Sequence, residues 1–217
     1  MQRYTTIALF SAIALSVGIL GVYGLTSVPS TLKVQSDTQT IGAVPMLGHV
    51  TMTVTDPHGN IIAYHQGDNI VVNLGEDCLS YKVFGIPSNQ CTASGDTGNY
   101  NVIAIGNVTG NPTAAKTDAG LGAEFTTTNS GSAESTLFRA TASTQTETDA
   151  TSGAPVSDVL QYQFTNAGGA KTVTEAGLFN STTYSNTKGM FAHQVFTGVS
   201  LNSGDSLTVK WTVTMGT

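Results

Sequence analysis

Glu175 is the residue whose setting first raises the question of chemistry. It is the one acid in the apolar run TVTEAGLF, residues 172–179, and no second carboxylate stands at a spacing that suggests acid–base work. Gly177 follows two positions later, where a missing side chain permits a bulge or a close backbone approach. The sequence therefore predicts that Glu175 is a structural residue of a β-hairpin, accepting hydrogen bonds from the neighbouring backbone or from threonine hydroxyls.

The four histidines raise the question of metal binding. His49, His58 and His65 bracket one predicted hairpin, while His193 lies in another. His58 falls at a turn tip, and no acid clearly joins the other two, so satisfied or solvated rings are the favoured interpretation. The loops TETDATSGAP and NSGD leave calcium as a weaker alternative, because they lack regular ligand spacing. Since nucleophile, zinc and phosphate-loop motifs are also missing, we expect no enzyme and no cofactor.

Composition favours a β-rich protein that contacts other protein. The chain has 217 residues, of which 40% are hydrophobic and 10% charged, with 24 glycines. Charged residues make up about a quarter of a typical soluble domain. The net charge is −6 and no basic stripe exists to neutralise phosphates, so nucleic acid is not an expected partner.

The N-terminal region is the clearest signal for location. Residues 5–28 are uncharged, mostly apolar and long enough to cross a bilayer as a helix. Residues 1–28 are therefore predicted to be a cleaved export signal or a retained membrane anchor, and the sequence leaves these two alternatives open. Either one places the remainder outside the cell, as a secreted or membrane-anchored surface protein.

Two further features fit an exterior location. Cys78 and Cys91 are expected to pair, closing a loop worth about 3 kcal/mol by the chain-entropy estimate. Asn107 and Asn180 begin glycosylation sequons, although such triplets recur often by chance.

Alternating hydrophobicity predicts most of the strands. SLTVKWTVTM places Leu207, Val209 and Trp211 on one face, and HVTMTVT does the same before a DPHG turn. YNVIAIGNV is apolar on both faces and STLFRATAST is a further candidate strand. These short strands predict an all-β fold, a single β-sandwich or jelly-roll-like domain over residues 48–217. An extended tail, residues 29–47, precedes it.

One short helix is expected inside this domain. Asn73 is placed to cap it, Glu76 lies in the first turn, and Gly85 would end it. Leu79 and Val83 would then share its apolar face.

The order of these segments carries a resemblance. GHVTMTVTDPHGNIIAYHQGDNIVVNLGEDCL, YNVIAIGNVTGNPTAAKTDAGLGAEF and TVTEAGLF with the closing SGDSLTVKWTVT span roughly residues 48–215. Together they resemble β-sandwich structural proteins of tailed-phage tail and fibre modules and related archaeal surface proteins. The resemblance implies structural and assembly work without catalysis. The export segment and the cysteine pair are departures from the phage pattern and favour a cell-surface protein of the archaeal kind.

The leading functional expectation is an exported subunit that polymerises with itself into a pilus-like extracellular filament. Residues 29–47 would complete the sheet of the next copy by strand addition. The apolar tail residues that would do so are Leu32, Val34, Ile41 and Val44. Two alternatives remain: a virion capsid or tail protein of an archaeal virus, and a membrane-anchored adhesion module that binds through loop aromatics such as Tyr184.

Overall fold

The computed structural model describes residues 46–85, 98–110, 112–126 and 136–216. The predicted export segment, nearly all of the predicted tail and Cys91 lie outside these ranges, so their assignments stay predictions. Within the described ranges, no helix has the length and apolar character needed to cross a bilayer.

The described chain forms two antiparallel five-stranded sheets that pack as a β-sandwich with one short helix. The first sheet has the strand order β2-β1-β10-β7-β6 and the second β3-β9-β8-β4-β5. The strands are β1 Met46–Thr55, β2 Ile61–Asp68, β3 Ile70–Val71, β4 Val102–Gly106, β5 Ala140–Thr141, β6 Thr144–Thr148, β7 Val156–Thr165, β8 Lys171–Phe179, β9 Met190–Leu201 and β10 Ser206–Met215, with helix α1 Asn73–Phe84 between β3 and β4.

The first sheet follows the alternation of the sequence. Val50 and Met52 of β1 are fully buried, and they pair in register with Trp211 and Val209 of β10, which are also fully buried. The intervening threonines face away from the core because successive side chains of a strand point to opposite faces. The DPHG turn forms as predicted: the Gly59 amide donates to the Asp56 carbonyl at 3.0 Å. The predicted alternation in both strands is therefore confirmed.

The second sheet contains the strand predicted to be apolar on both faces. All five residues of β4 are buried, and β4 pairs with β8, which pairs in turn with β9. The β8–β9 hairpin has a polar connection over residues 180–189, as the sequence predicted. The β8–β9 pairing shifts register between Val173 and Glu175 and again between Leu178 and Phe179, the second next to Gly177, where the sequence allowed a bulge.

Helix α1 corrects two details of the prediction. Asn73 is the first helical residue and provides no cap; Val72 precedes it and makes no side-chain capping bond. Gly75 and Cys78 are buried, while Val83 is 61% exposed, so the predicted face through Val83 is wrong. A β-carbon on Gly75 would lie 2.5 Å from the Phe191 carbonyl oxygen. The helix therefore packs against β9 through Gly75, because only a residue without a side chain fits at this close contact.

Helix α1 ends as predicted. Gly85 adopts the left-handed conformation with φ 69°, and its amide donates to the Tyr81 carbonyl. Glycine occupies this conformation without the steric cost of a β-carbon, so it terminates helices well.

The segment STLFRATAST, residues 135–144, is not the long strand that its composition predicted. In its described part, residues 136–144, Ala140–Thr141 form the short strand β5 and Thr144 begins β6, while Leu137 is buried in the core and Arg139 joins a buried ion pair. Side-chain burial at irregular spacing, and not ladder hydrogen bonding, holds this segment in place. At the other end of the domain, β1 begins at Met46, so two residues of the tail as predicted from sequence belong to the sandwich.

Candidate functional site

Glu175 lies at the centre of a buried polar cluster. Its side chain is inaccessible to solvent and accepts hydrogen bonds from the backbone amides of Gly122 at 2.9 Å and Ala123 at 2.7 Å. A β-carbon on Gly106 would come within 2.5 Å of Glu175 Oε1, so glycine there makes room for the carboxylate. Backbone amides are thus the partners, but they are not those of the neighbouring backbone that the sequence interpretation expected. They come from a connecting segment distant in sequence, residues 115–124, and not from the hairpin itself.

His193 links Glu175 to a second acid. Its Nδ1 lies 2.7 Å from Asp118 Oδ2, and its Nε2 lies 3.3 Å from Glu175 Oε2. Burial alone would lower the pKa of His193, but the hydrogen bonds and negative charges of Glu175 and Asp118 outweigh it and raise this pKa above 6.5. The imidazolium is favoured because both ring nitrogens then donate to carboxylates.

A buried ion pair lies beside this cluster. Arg139 donates through Nε and Nη2 to the two oxygens of Glu124, both at 2.6 Å, and the side chains are 4% and 1% exposed. Burial raises the pKa of Glu124; Arg139 opposes this, and the charge of Glu175 adds to it. The Arg139 guanidinium also stacks on the Phe179 ring at 4.1 Å. This bidentate geometry is the strongest form of an arginine–carboxylate contact.

Arg139 also fixes the loop between β8 and β9. Its Nη1 donates to the carbonyls of Ser181 and Thr183, both at 3.1 Å. Tyr184, the loop aromatic singled out in the sequence, lies over the guanidinium at 5.6 Å and is 47% exposed. One arginine therefore joins the core, the ion pair and the hairpin loop.

This arrangement is suited to stabilising buried charged groups and not to activating a nucleophile. Both nitrogens of His193 are taken by acids, which leaves the ring without a free position toward a substrate. Among the described residues, no group of three or more His, Cys, Asp or Glu side chains is arranged to bind a metal ion. The cluster acts as a polar clamp that fixes residues 115–124 against β4, β8 and β9.

The remaining histidines do not meet at one point. His49 Nδ1 lies 2.9 Å from Asp68 Oδ1, an acid that the sequence interpretation had not assigned to it. His65 instead contacts the Phe196 ring, with centroids 5.1 Å apart. His58 stays in the turn, where its amide donates to Asp56 at 2.9 Å.

The predicted disulfide and glycosylation residues differ in how deeply they are buried. Cys78 is fully buried in α1, and the predicted bridge stays a prediction because Cys91 lies outside the described ranges. Asn107 is half-buried at the end of β4, whereas Asn180 is fully buried at the start of the hairpin loop. Because a glycan is bulky and needs a surface position, the buried Asn180 does not fit a glycosylated side chain in this fold.

The surface offers a second kind of candidate site on the edge strand β2. Ile61, Ile62 and Tyr64 are 69%, 50% and 58% exposed, although two of them are strongly apolar. Exposed apolar groups on an edge strand mark places where another chain can pair. The opposite edge of this sheet, β6, has the polar sequence TQTET with every residue exposed.

Sequence reasoning missed Arg139 and Glu124. The available signal was that Arg139 is one of only two arginines in the chain and follows the apolar pair Leu137 and Phe138. A charge in such a setting must find a partner if it is buried. Which acid would supply that partner depended on the tertiary fold.

These features define a mostly-β protein built from two packed antiparallel sheets, with a buried polar clamp and one apolar edge. Comparison with protein-family models, with curated proteins and with solved structures finds no significant match to this chain.

Proposed function

We propose that the protein is an exported structural subunit that polymerises on the cell surface into a pilus-like filament by strand addition. The observation that carries this proposal is the edge strand β2, where Ile61, Ile62 and Tyr64 are exposed and no further strand of the described chain pairs. Monomeric proteins usually blunt such edges with charge, proline or a covering loop. An edge that stays apolar is suited to burial by another subunit.

The buried polar cluster supports a structural role. Its acids are engaged by backbone amides, by Arg139 or by His193, and the Glu124 and Glu175 side chains are essentially inaccessible. Functional carboxylates need access to a substrate, so these groups serve the fold. The sequence resemblance to β-sandwich assembly proteins points in the same direction, and the uncharged stretch over residues 5–28 provides the means of export.

The adhesion-module alternative has one observation of its own. Tyr184 is 47% exposed and is held over Arg139 at the end of the β8–β9 hairpin. A pre-positioned aromatic ring of this kind is a common contact for a partner or a glycan. The virion-protein alternative shares the assembly chemistry of the leading proposal and differs in where the polymer is found.

The test uses the full chain expressed in a host that exports it. Surface material is examined by negative-stain electron microscopy, alongside a variant in which residues 31–45 are replaced by a Gly/Ser linker of equal length. We expect filaments from the native chain and none from the replacement. A control replaces only Lys33 and Gln35 with serine, which leaves the apolar tail positions intact and should preserve filaments. Native surface protein that stays monomeric and binds a glycan array would overturn the proposal in favour of the adhesion module.

A further inference from the structure

A candidate acceptor for strand addition, distinct from the exposed apolar surface of β2, lies along β9. This strand has 12 residues, but β3 pairs with it only at Ala192 and His193. On that side, the described chain provides no strand partner for residues 194–201. At about 3.4 Å per residue, this free edge is roughly 27 Å long. The second sheet is therefore incomplete along two thirds of one of its edge strands.

The opposite edge of the second sheet is closed. Strand β5 pairs with Val102 and Ile103 at the start of β4. Beyond them, the Phe125 amide donates to the Ile105 carbonyl at 3.1 Å, and the Asn107 amide donates to the Ala123 carbonyl at 2.9 Å. Because the β4 edge is covered along its length, only the β9 edge of this sheet has room for a further strand among the described elements.

The free edge of β9 borders a groove. Its walls come from β2 and β9, its volume is about 540 Å³, and His65, Gly67, Pro112, Val195 and Thr197 line it. A second groove of about 400 Å³ shares Pro112, Val195 and Thr197 and continues toward Gly198. The second groove is also lined by Val108 and by Thr174 of β8, so it extends onto the paired side of β9, and the first groove is the one that lies along the open edge.

We infer that this groove binds residues 31–45 of a second copy of the chain, added as an antiparallel strand that continues the line of β3. The inference rests on the proposed function and names its acceptor. Residues 31–45 could extend to about 50 Å, enough to cover the free edge and leave a link to β1 of their own subunit. Leu32 and Val34 alternate with Lys33 and Gln35, as a strand with one face toward a core requires.

The fold favours a second copy over the same chain as the donor. The tail leads into Met46 of β1, which lies one strand inside the edge of the first sheet. Asp68 and Ile70, on either side of the connection from β2 to β3, line both a pocket that includes Met46 and the β9 groove. There, the Asn69 amide donates to the Gly48 carbonyl at 3.1 Å and its side chain covers Gly48. A tail from the same chain would have to pass around this connection to reach β9.

The experiment is disulfide trapping between two co-expressed full-length chains with different affinity tags. One carries a cysteine at Leu32, Val34 or Ile41 in turn, and the other carries Thr197→Cys on β9. The matched control is Thr146→Cys on β6, another exposed threonine on a strand. After mild oxidation, we expect at least tenfold more mixed-tag dimer with Thr197→Cys than with Thr146→Cys. The fluorescence of buried Trp211 shows that each variant is folded.

The outcomes separate the acceptor site from the proposed function. Filaments with trapping at Thr197 support both. Filaments with equal or stronger trapping at Thr146, or with none at either site, overturn the β9 assignment and leave polymerisation intact. A disulfide formed within one chain also overturns it, because the donor is then the same copy. If the untreated native chain forms no filaments, the proposed function fails.

Discussion

Substitution of Arg139 by methionine tests the buried polar clamp most directly. Methionine has a similar length but cannot donate, so Glu124 would lose both 2.6 Å hydrogen bonds and remain as a buried, unpaired carboxylate. Removing one partner of a buried ion pair typically costs about 3–5 kcal/mol. The carbonyls of Ser181 and Thr183 would lose their donor as well. For a domain of this size, the loss corresponds to a melting temperature about 6–20 °C lower.

The pH dependence of this variant gives the reasoning a second test. Burial raises the pKa of Glu124, and Arg139 is the group that opposes the rise. Without Arg139, the folded state binds a proton more tightly than the unfolded state, whose Glu124 has a pKa near 4.5. Stability then increases as pH falls through the raised folded pKa. The difference in unfolding free energy between Arg139→Met and the native chain should therefore become smaller as the pH is lowered from neutral to about 4.5.

The assay is urea denaturation followed by the fluorescence of Trp211, the single tryptophan, which is fully buried. Arg139→Lys keeps the charge but loses the forked geometry, so it should lose about 1.5–3 kcal/mol. Exposed Lys82→Met removes a surface charge and should change stability by less than about 0.5 kcal/mol. A loss below about 1 kcal/mol in Arg139→Met, with no change in its pH profile, would refute the clamp.

Three further predictions follow from single contacts. Unfolding free energy should fall as pH rises through the raised pKa of His193, above 6.5, because the stabilising imidazolium is lost, and His193→Gln should flatten this part of the profile. Asn166→Ala should cost about 2–3 kcal/mol in urea denaturation, since the buried amide donates to three backbone carbonyls and accepts from Gly168. Gly75→Ala should lower stability by about 1–3 kcal/mol because its β-carbon would meet Phe191, whereas Gly169→Ala, with open space around it, should be nearly neutral in thermal melts.

The parts of the fold that could be predicted are those set by short-range periodicity. Val50 and Met52 in β1, like Val209 and Trp211 in β10, alternate with polar residues, and a period of two defines a face without reference to any partner. Gly85 ended the helix for an equally local reason, its left-handed conformation.

The candidate site depended on contacts between distant segments. The sequence indicated that Glu175 needed hydrogen-bond donors, but the amides of Gly122 and Ala123 lie more than fifty residues away. The helix face was mispredicted for the same reason. The Gly75 contact with Phe191 is a tertiary one, and an apolar pattern within the helix could not reveal it.

The composition of the outer face of the first sheet determines how contacts made through that face respond to ionic strength. Thr51 and Thr53 of β1 lie opposite Lys210 and Thr208 of β10, so hydroxyl groups dominate this face and charge is sparse. At 0.1 M salt, interactions between exposed charges more than about 10 Å apart are largely screened, whereas hydrogen bonds between hydroxyls are little affected. Contacts made through this face would therefore hold almost equally well in fresh water and in brine.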